Sequence, residues 1–315
     1  MTVVASAGLD APKASAGGVK RNRLWRLGFF FVGLILFYAP FALIARIAGA
    51  VFPGTMPATW VSDVHTACLR MPIGWMAQPW MWGALESNPL YYLPIVILPL
   101  AAIAGAPLFC GWLCPAGAFP EFLGRLVPDR FKWDPKGSVE ITAVRYGFFT
   151  GFLIVPFIAA SVCCSFCNFT WMQNIVSALT GNVSSWLYVA TTGVVTLVLW
   201  IFVLGIFTKG GRGWCLFLCP SGALMSLVAG ATSKVKWLTR VRHDPSSCTG
   251  CATCAEVCPV RAIEVTAAEA PPEGTDEPGG PALGDNVKVN QYLCNACMDC
   301  VRGCPTGSFR YGAMR

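Results

Sequence analysis

The sequence predicts an α-helical membrane protein, a four-transmembrane-helix bundle made of two parallel repeats, continuing into a small α+β cysteine-rich module. Three observations predict it. Of the 315 residues, 55% are hydrophobic and only 12% are charged, against roughly 25% charged in a soluble domain, and the mean hydropathy is +0.57. Long apolar runs recur through the first two thirds of the chain. Near the C-terminus a run of four cysteines closed by proline occurs twice.

The first element is a polar N-terminal tail, residues 1–26, carrying Lys13, Lys20, Arg21, Arg23 and Arg26. Four spans follow, Leu27–Ala45, Pro89–Phe109, Tyr146–Cys164 and Trp186–Thr208, within a membrane domain of residues 27–235. Leu27–Ala45 has no charged residue and is long enough, at about 1.5 Å per residue, to cross a hydrocarbon core of about 30 Å. It also exceeds the apolar stretch of a signal peptide, about 7–15 residues, so Ala48-Gly49-Ala50 is not read as a processing site. Prolines 94, 99 and 156 are expected to kink these helices.

Lysine and arginine set the orientation. The tail and the loop with Arg125, Arg130, Lys132, Lys136 and Arg145 are basic, whereas the opposite loops offer only Arg46 and Arg70. Both termini are therefore expected in the cytoplasm of a bacterium, with the spans in its inner membrane. The net charge of +7 lies beside apolar spans and argues for topology rather than nucleic-acid binding. Trp60, Trp75, Trp80, Trp82, Tyr91 and Tyr92 crowd the first outer loop as an interfacial belt.

Cysteine carries the chemistry, with sixteen in the chain. Cys248-x2-Cys251-x2-Cys254-x3-Cys258-Pro259 is repeated as Cys294-x2-Cys297-x2-Cys300-x3-Cys304-Pro305. In such bacterial-type runs the first three thiolates hold one 4Fe–4S cluster and the fourth reaches the other. Cluster A thus takes Cys248, Cys251, Cys254 and Cys304, and cluster B takes Cys294, Cys297, Cys300 and Cys258, in a ferredoxin domain at 243–312. Short strands are expected at Lys288-Val289, Phe309-Arg310-Tyr311 and Ile263-Glu264-Val265, around a Pro/Gly-rich acidic insertion, 267–286.

The membrane region repeats too. Cys110-Gly-Trp-Leu-Cys114-Pro-Ala-Gly-Ala answers Cys215-Leu-Phe-Leu-Cys219-Pro-Ser-Gly-Ala, each pair read as lying on one helix face, with the proline ending the span. Packed side by side, these four are candidate ligands for an additional iron–sulfur or metal centre; the alternative is buried structural cysteines. On the outer side, His65 and Cys68 face Cys163, Cys164 and Cys167 in two loops. These are candidates for a metal site or for a disulfide between the loops.

The two Cys-x3-Cys-Pro phrases, Phe109-Cys110-Gly-Trp-Leu-Cys114-Pro and Trp214-Cys215-Leu-Phe-Leu-Cys219-Pro-Ser-Gly-Ala-Leu, followed by the double ferredoxin run, resemble the NapH-type membrane ferredoxins, which are related to the membrane regions of the NosR, MauN and CcoG groups. The resemblance spans Leu27 to Arg310. It implies a four-helix inner-membrane subunit, a quinol dehydrogenase component, relaying electrons between the quinone pool and a periplasmic ferredoxin or multihaem cytochrome subunit. Some outer aromatics would then line a quinone pocket. The Cys163-Cys164-Ser-Phe-Cys167 group and the acidic insertion depart from the family pattern. A periplasmic metal-ion (copper) reductase or assembly factor using the outer cysteines, and a redox-sensing scaffold, are the other functions the residues allow.

Overall fold

The computed structural model describes residues 16–37, 78–87, 92–158, 167–179, 181–266 and 286–313, with single positions at 43, 47, 50, 51, 73, 75 and 76. Helix α1 spans Ala16–Phe37. The polar stretch read as a tail is therefore helical from Ala16, because its basic residues find buried partners rather than water. Asn22 and Arg26 are buried among residues distant in sequence. Of Tyr38 to Ala45, the rest of the first expected span, all but Leu43 lie outside the described residues.

Helix α2 (Trp82–Ser87) precedes the apolar α3 (Leu93–Gly105), which is shorter than the expected span 89–109. It ends at Ala106, whose left-handed φ of 59° turns the chain into a π-helical turn, Phe109–Leu113. Helix α4 (Pro115–Gly124) follows. Helix α5 (Ile141–Ile158) is, among the described residues, the one helix long and apolar enough to cross a membrane by itself.

Helix α6 (Asn168–Leu179) packs against α7 (Val183–Ala190). Asn182 caps α7 by accepting from the amides of Ser184 and Ser185, the standard remedy for orphan N-terminal amides. The expected straight span 186–208 is bent by 55° between α7 and a continuation over Thr192–Ile206. That continuation is α8 (Thr192–Leu197) running into a π-helix, Val198–Ile206. The two pass the length and composition test together as one broken span. At the bend Gly193 sits close to Trp171, whose ring meets Trp200 edge-on at 5.8 Å.

Helices α9 (Gly213–Phe217) and α10 (Pro220–Ala231) complete the apolar part. The packing between repeats is reciprocal. Helix α10, after the second cysteine phrase, packs on α3, before the first; α4, after the first, packs on the π-helix before the second. Met225 of α10 is fully buried with Leu98 and Ala102 of α3, and the buried Trp200 donates from Nε1 to Ala116 O at 2.9 Å. Each phrase is thereby pulled toward the other.

The C-terminal module consists of two two-stranded antiparallel sheets and two short helices. Strand β1 (Arg240–His243) pairs with β4 (Phe309–Gly312), and β2 (Ile263–Val265) with β3 (Val287–Val289). Helices α11 (Thr253–Val257) and α12 (Asp299–Gly303) lie between them. The expected strands are present, and β1 opens the module at Arg240. Residues 267–285, most of the expected insertion, lie outside the described residues.

This module is not an appendage with a core of its own. Val241, Val260, Ile263, Leu293 and Phe309 share one buried cluster with Ile141 of α5 and Leu216 and Phe217 of α9. Hydrogen bonds extend the seam. Tyr311 donates to Gly105 O at 2.7 Å, Arg240 to Ile103 O at 3.1 Å, and Tyr146 to Tyr292 O at 2.9 Å. A module this small needs such help, since its own apolar area is meagre.

Candidate electron-transfer site

The two cysteine runs fold as copies of each other, and their backbone shows why these residues suit the loops. Left-handed φ angles occur at three matched pairs of positions: Gly250 (68°) and Ala296 (52°), Ala252 (57°) and Met298 (63°), Arg261 (51°) and Gly307 (70°). Non-glycine residues rarely adopt this conformation. Here it winds the chain tightly and turns amides inward toward sulfur. The amides of Gly250 and Ala296 lie 3.5 Å from the Cys248 and Cys294 sulfurs, and that of Ala262 lies 3.4 Å from Cys258 Sγ.

The fourth cysteine of each run crosses to the other. Cys254 has Cys251, Cys248 and Cys304 as electrostatic neighbours, whereas Cys258 neighbours Cys294, Cys297 and Cys300. The latter four line one enclosed space with Val241, Val260, Ile263 and Met298. Burial pushes the Cys254 and Cys294 thiols up to about 12. Cys304 is held below the ordinary thiol value: its part burial raises it, but hydrogen bonds from the Thr306 hydroxyl and the amides of Thr306, Ser308 and Phe309 outweigh that. Amides aimed at sulfur and an apolar wall fit a thiolate-bound cluster, whose potential such groups tune.

The phrases read as helix faces differ from that expectation. Cys114 and Cys219 are not helical; each is the N-cap of the helix whose first residue is the following proline, at φ −74°, ψ 108° and φ −79°, ψ 110°. Proline lacks an N–H and has φ preset, so it begins these helices instead of ending a span. Cys258 and Cys304, also followed by proline, have φ −73°, ψ 111° and φ −71°, ψ 118°. All four Cys-Pro steps thus share one extended backbone conformation, favoured by the proline ring.

Between the cysteine groups lies a buried ionic cluster that the sequence did not signal. Glu121 on α4 accepts from Arg26 at 3.0 and 2.6 Å, from Arg212 at 2.5 Å and from Arg125. Arg26, Arg212 and Glu121 are each 1% exposed. Burial drives the Glu121 carboxyl up, and the guanidiniums of Arg26, Arg212 and Arg125 more than reverse this, leaving it well below the carboxylate range. Asp299 of α12 accepts from Asn22 at 2.7 Å and Arg23 at 3.1 Å, and pairs with Arg26 at 3.4 Å. The one available cue was a lone glutamate in an otherwise uncharged α4.

This cluster clamps the Cys294–Cys300 loop onto the first membrane phrase. Asn22 donates to Cys297 O at 2.9 Å, Trp112 Nε1 to Ala296 O at 3.0 Å, and Arg26 Nε to Gly111 O at 2.9 Å. A Cβ on Gly111 would stand 2.3 Å from Asn295 O, so glycine is what permits the backbones to touch. Arg212 also donates to Cys110 O. The first ferredoxin run docks elsewhere, with Gly210 (φ 86°) against Pro259 and with Asp134 bridging Arg261 and Lys209.

Of the outer candidates, His65, Cys68, Cys163 and Cys164 lie outside the described residues. Cys167 is half-buried and free, just ahead of α6. Among the described residues, no three His, Cys, Asp or Glu converge on a point as one metal ion requires.

Residues 213–262 and 247–308 match a 4Fe-4S dicluster domain, and residues 88–134 match a 4Fe-4S binding domain. The chain is 28% identical over 219 residues to the ferredoxin-type protein NapH of Haemophilus influenzae, covering 69% of this chain and 66% of that one. It is 27% identical over 228 residues to NapH of Escherichia coli, covering 72% and 69%. The chain is thus similar to ferredoxin-type proteins of the NapH kind. A further relative is the methylamine utilization ferredoxin-type protein MauN of Methylorubrum extorquens, 27% identical over 188 residues, covering 58% and 57%. The chain spans from about half to just over two thirds of the length of these and other curated relatives. No solved structure matches it. The 4Fe-4S matches and these ferredoxin-type relatives support an iron–sulfur electron-transfer role.

Proposed function

We propose that this protein carries electrons between the quinone pool and a redox partner across the inner membrane, through two 4Fe–4S clusters held on the cytoplasmic ends of a four-helix bundle. The observation that carries the reading is the direct seat of the Cys294–Cys300 loop on Gly111 and Trp112. It makes cluster B proximal to the membrane helices and cluster A, with Cys248 and Cys251 half-exposed, the end available to a partner. When bound, the clusters supply one-electron exchange. The chain supplies spacing, inward amides and a fixed docking geometry.

Quinol binding is drawn to the recess lined by Met76, Trp82, Glu86 and Tyr92. Its aromatic walls suit a quinone ring, and Glu86 is a carboxylate placed to take a proton when a quinol gives up two electrons and two protons. The periplasmic partner, a ferredoxin or multihaem cytochrome, would be reached at the opposite face from the module. Mixing anaerobic purified protein with a quinol analogue is expected to bleach the cluster absorbance, and Glu86→Gln to slow the bleaching. Clusters left oxidised by every quinol analogue would remove the quinol part of this function.

The crossed ligation has its own test. Cys251→Ser with Cys304→Ser is expected to remove one ferredoxin cluster, a loss of about four irons per chain, and Cys251→Ser with Cys258→Ser to remove both, a loss of about eight. The opposite pattern in iron and labile-sulfide counts would mean that each run ligates its own cluster.

A further inference from the structure

The four thiols of the two membrane phrases come together. Cys110 has Cys114, Cys219 and Cys215 as electrostatic neighbours, and Cys219 has Cys215 and Cys114. Reciprocal packing of the repeats produces this meeting: Cys110 Sγ touches Met225 of the opposite repeat at 3.6 Å, and a Cβ on Gly117 of the first repeat would lie 3.0 Å from Cys215 Sγ of the second. The matched glycine, Gly222, faces Cys219 Sγ of its own repeat, at 3.5 Å for its Cβ. Both phrases use glycine three residues after the Cys-Pro cysteine to clear the space the thiols face.

Two buried guanidiniums border the same space. Arg212 lies 3.0 Å from the Cβ position of Gly117, and Arg145 lies 3.4 Å from that of Gly222. Arg212 is tied to Glu121, yet its Nη2 has no hydrogen-bond partner among the described residues. Arg145 is 4% exposed, donates to Ser226 Oγ at 3.1 Å and leaves Nε unpartnered. The described ion pairs give it no carboxylate. A buried cation without a counter-charge is costly by several kcal/mol, and neutral thiols supply none. Helices α4 and α10, of ten and twelve residues, also aim their positive N-terminal ends at Cys114 and Cys219. The surroundings therefore await a net negative occupant.

We propose that Cys110, Cys114, Cys215 and Cys219 together ligate a third iron–sulfur centre, shared between the two repeats and set beside cluster B. Four thiolates around an iron–sulfur core carry the net negative charge that Arg145 lacks and that Arg212 shares only with Glu121. The Cys-Pro steps share the ferredoxin conformation. Arg212 neighbours both Cys215 and Cys297, so the centre adjoins cluster B and would be the next stop for an electron. This rests on the electron-transfer reading above, but not on quinol being the donor.

The test is iron and labile-sulfide counting with EPR and Mössbauer spectroscopy on the purified full chain, beside Cys215→Ser, Cys248→Ser and Arg145→Gln. Wild type is expected to hold iron beyond the eight atoms of two 4Fe–4S clusters, an excess of two or four distinguishing a binuclear from a cubane centre. Cys215→Ser should lose that excess alone. Arg145→Gln keeps every thiol and should lower the midpoint potential of the third centre while leaving iron content unchanged, since the reduced cluster loses a nearby positive charge. Iron and spectra identical in wild type and Cys215→Ser would overturn the proposal. Cys248→Ser reports separately on the ferredoxin: no change there would strike the two-cluster assignment and leave the membrane centre to be judged on Cys215→Ser.

Discussion

Glu121→Ala is expected to destabilise the protein by about 3–5 kcal/mol, the usual cost of breaking a buried ion pair by removing one partner. Three guanidiniums converge on this carboxylate, and two of them are sealed from water. Without it Arg212 is left as an uncompensated buried cation and Arg26 keeps only Asp299, at 3.4 Å. Thermal unfolding followed by cluster absorbance measures the loss, and Glu121→Gln, which keeps the shape, should lose nearly as much because the charge is what matters. An unchanged transition in both variants would mean the cluster is hydrated in solution. The pH dependence follows in sign. The folded-state carboxyl sits far below its ordinary value, so its contribution is fully present above the unfolded value of about 4.3 and is lost as pH falls below it. Wild type should therefore weaken between about pH 5 and pH 2, and Glu121→Gln should show less of that decline.

Gly111→Val is expected to separate the module from the membrane helices without emptying it. The added Cβ falls 2.3 Å from Asn295 O, with Ala296 and Cys297 backbone atoms at 3.1 Å behind it, and backbone cannot step aside as a side chain can. Overpacking of this kind costs about 1–3 kcal/mol, equivalent to about a fivefold to 150-fold loss of the docked form. Cluster content should stay as in wild type, since no ligand is touched. Quinol-driven reduction of the clusters should slow by about tenfold or more, electron transfer weakening steeply with distance, while reduction by soluble dithionite should be unchanged. Equal slowing with both reductants would place the damage in the cluster loops themselves.

The ferredoxin half of the molecule was open to sequence reading because its chemistry is local. Cys248 to Cys258 and Cys294 to Cys304 stand at fixed spacings, and a tight loop with three thiolates tolerates little else. The strands at 263–265 and 309–311 followed from their β-branched and aromatic residues. The helical region was legible in character but not in detail. Proline after Cys114 and Cys219 has two meanings, the end of one helix or the start of the next, and only the neighbouring backbone chooses between them. The bend after Ala190 carries no proline, and Trp171 and Trp200 meet beside it at Gly193. Arg23 and Arg26 read as topology signals because charge near an apolar run usually is one. Their partners, Glu121 and Asp299, lie 95 to 276 residues away.

By itself, then, the sequence determined the number and kind of cysteine loops, the apolar character of the first two thirds and the existence of two repeats, all properties set by composition and short spacings. Tertiary structure alone decided that the repeats pack reciprocally and so gather Cys110, Cys114, Cys215 and Cys219, that the Cys294–Cys300 loop seats on Gly111 and Trp112, and that buried arginines surround the junction. Those are contacts between residues far apart in the chain, made where backbone glycines and the low dielectric of a packed interior let distant groups meet.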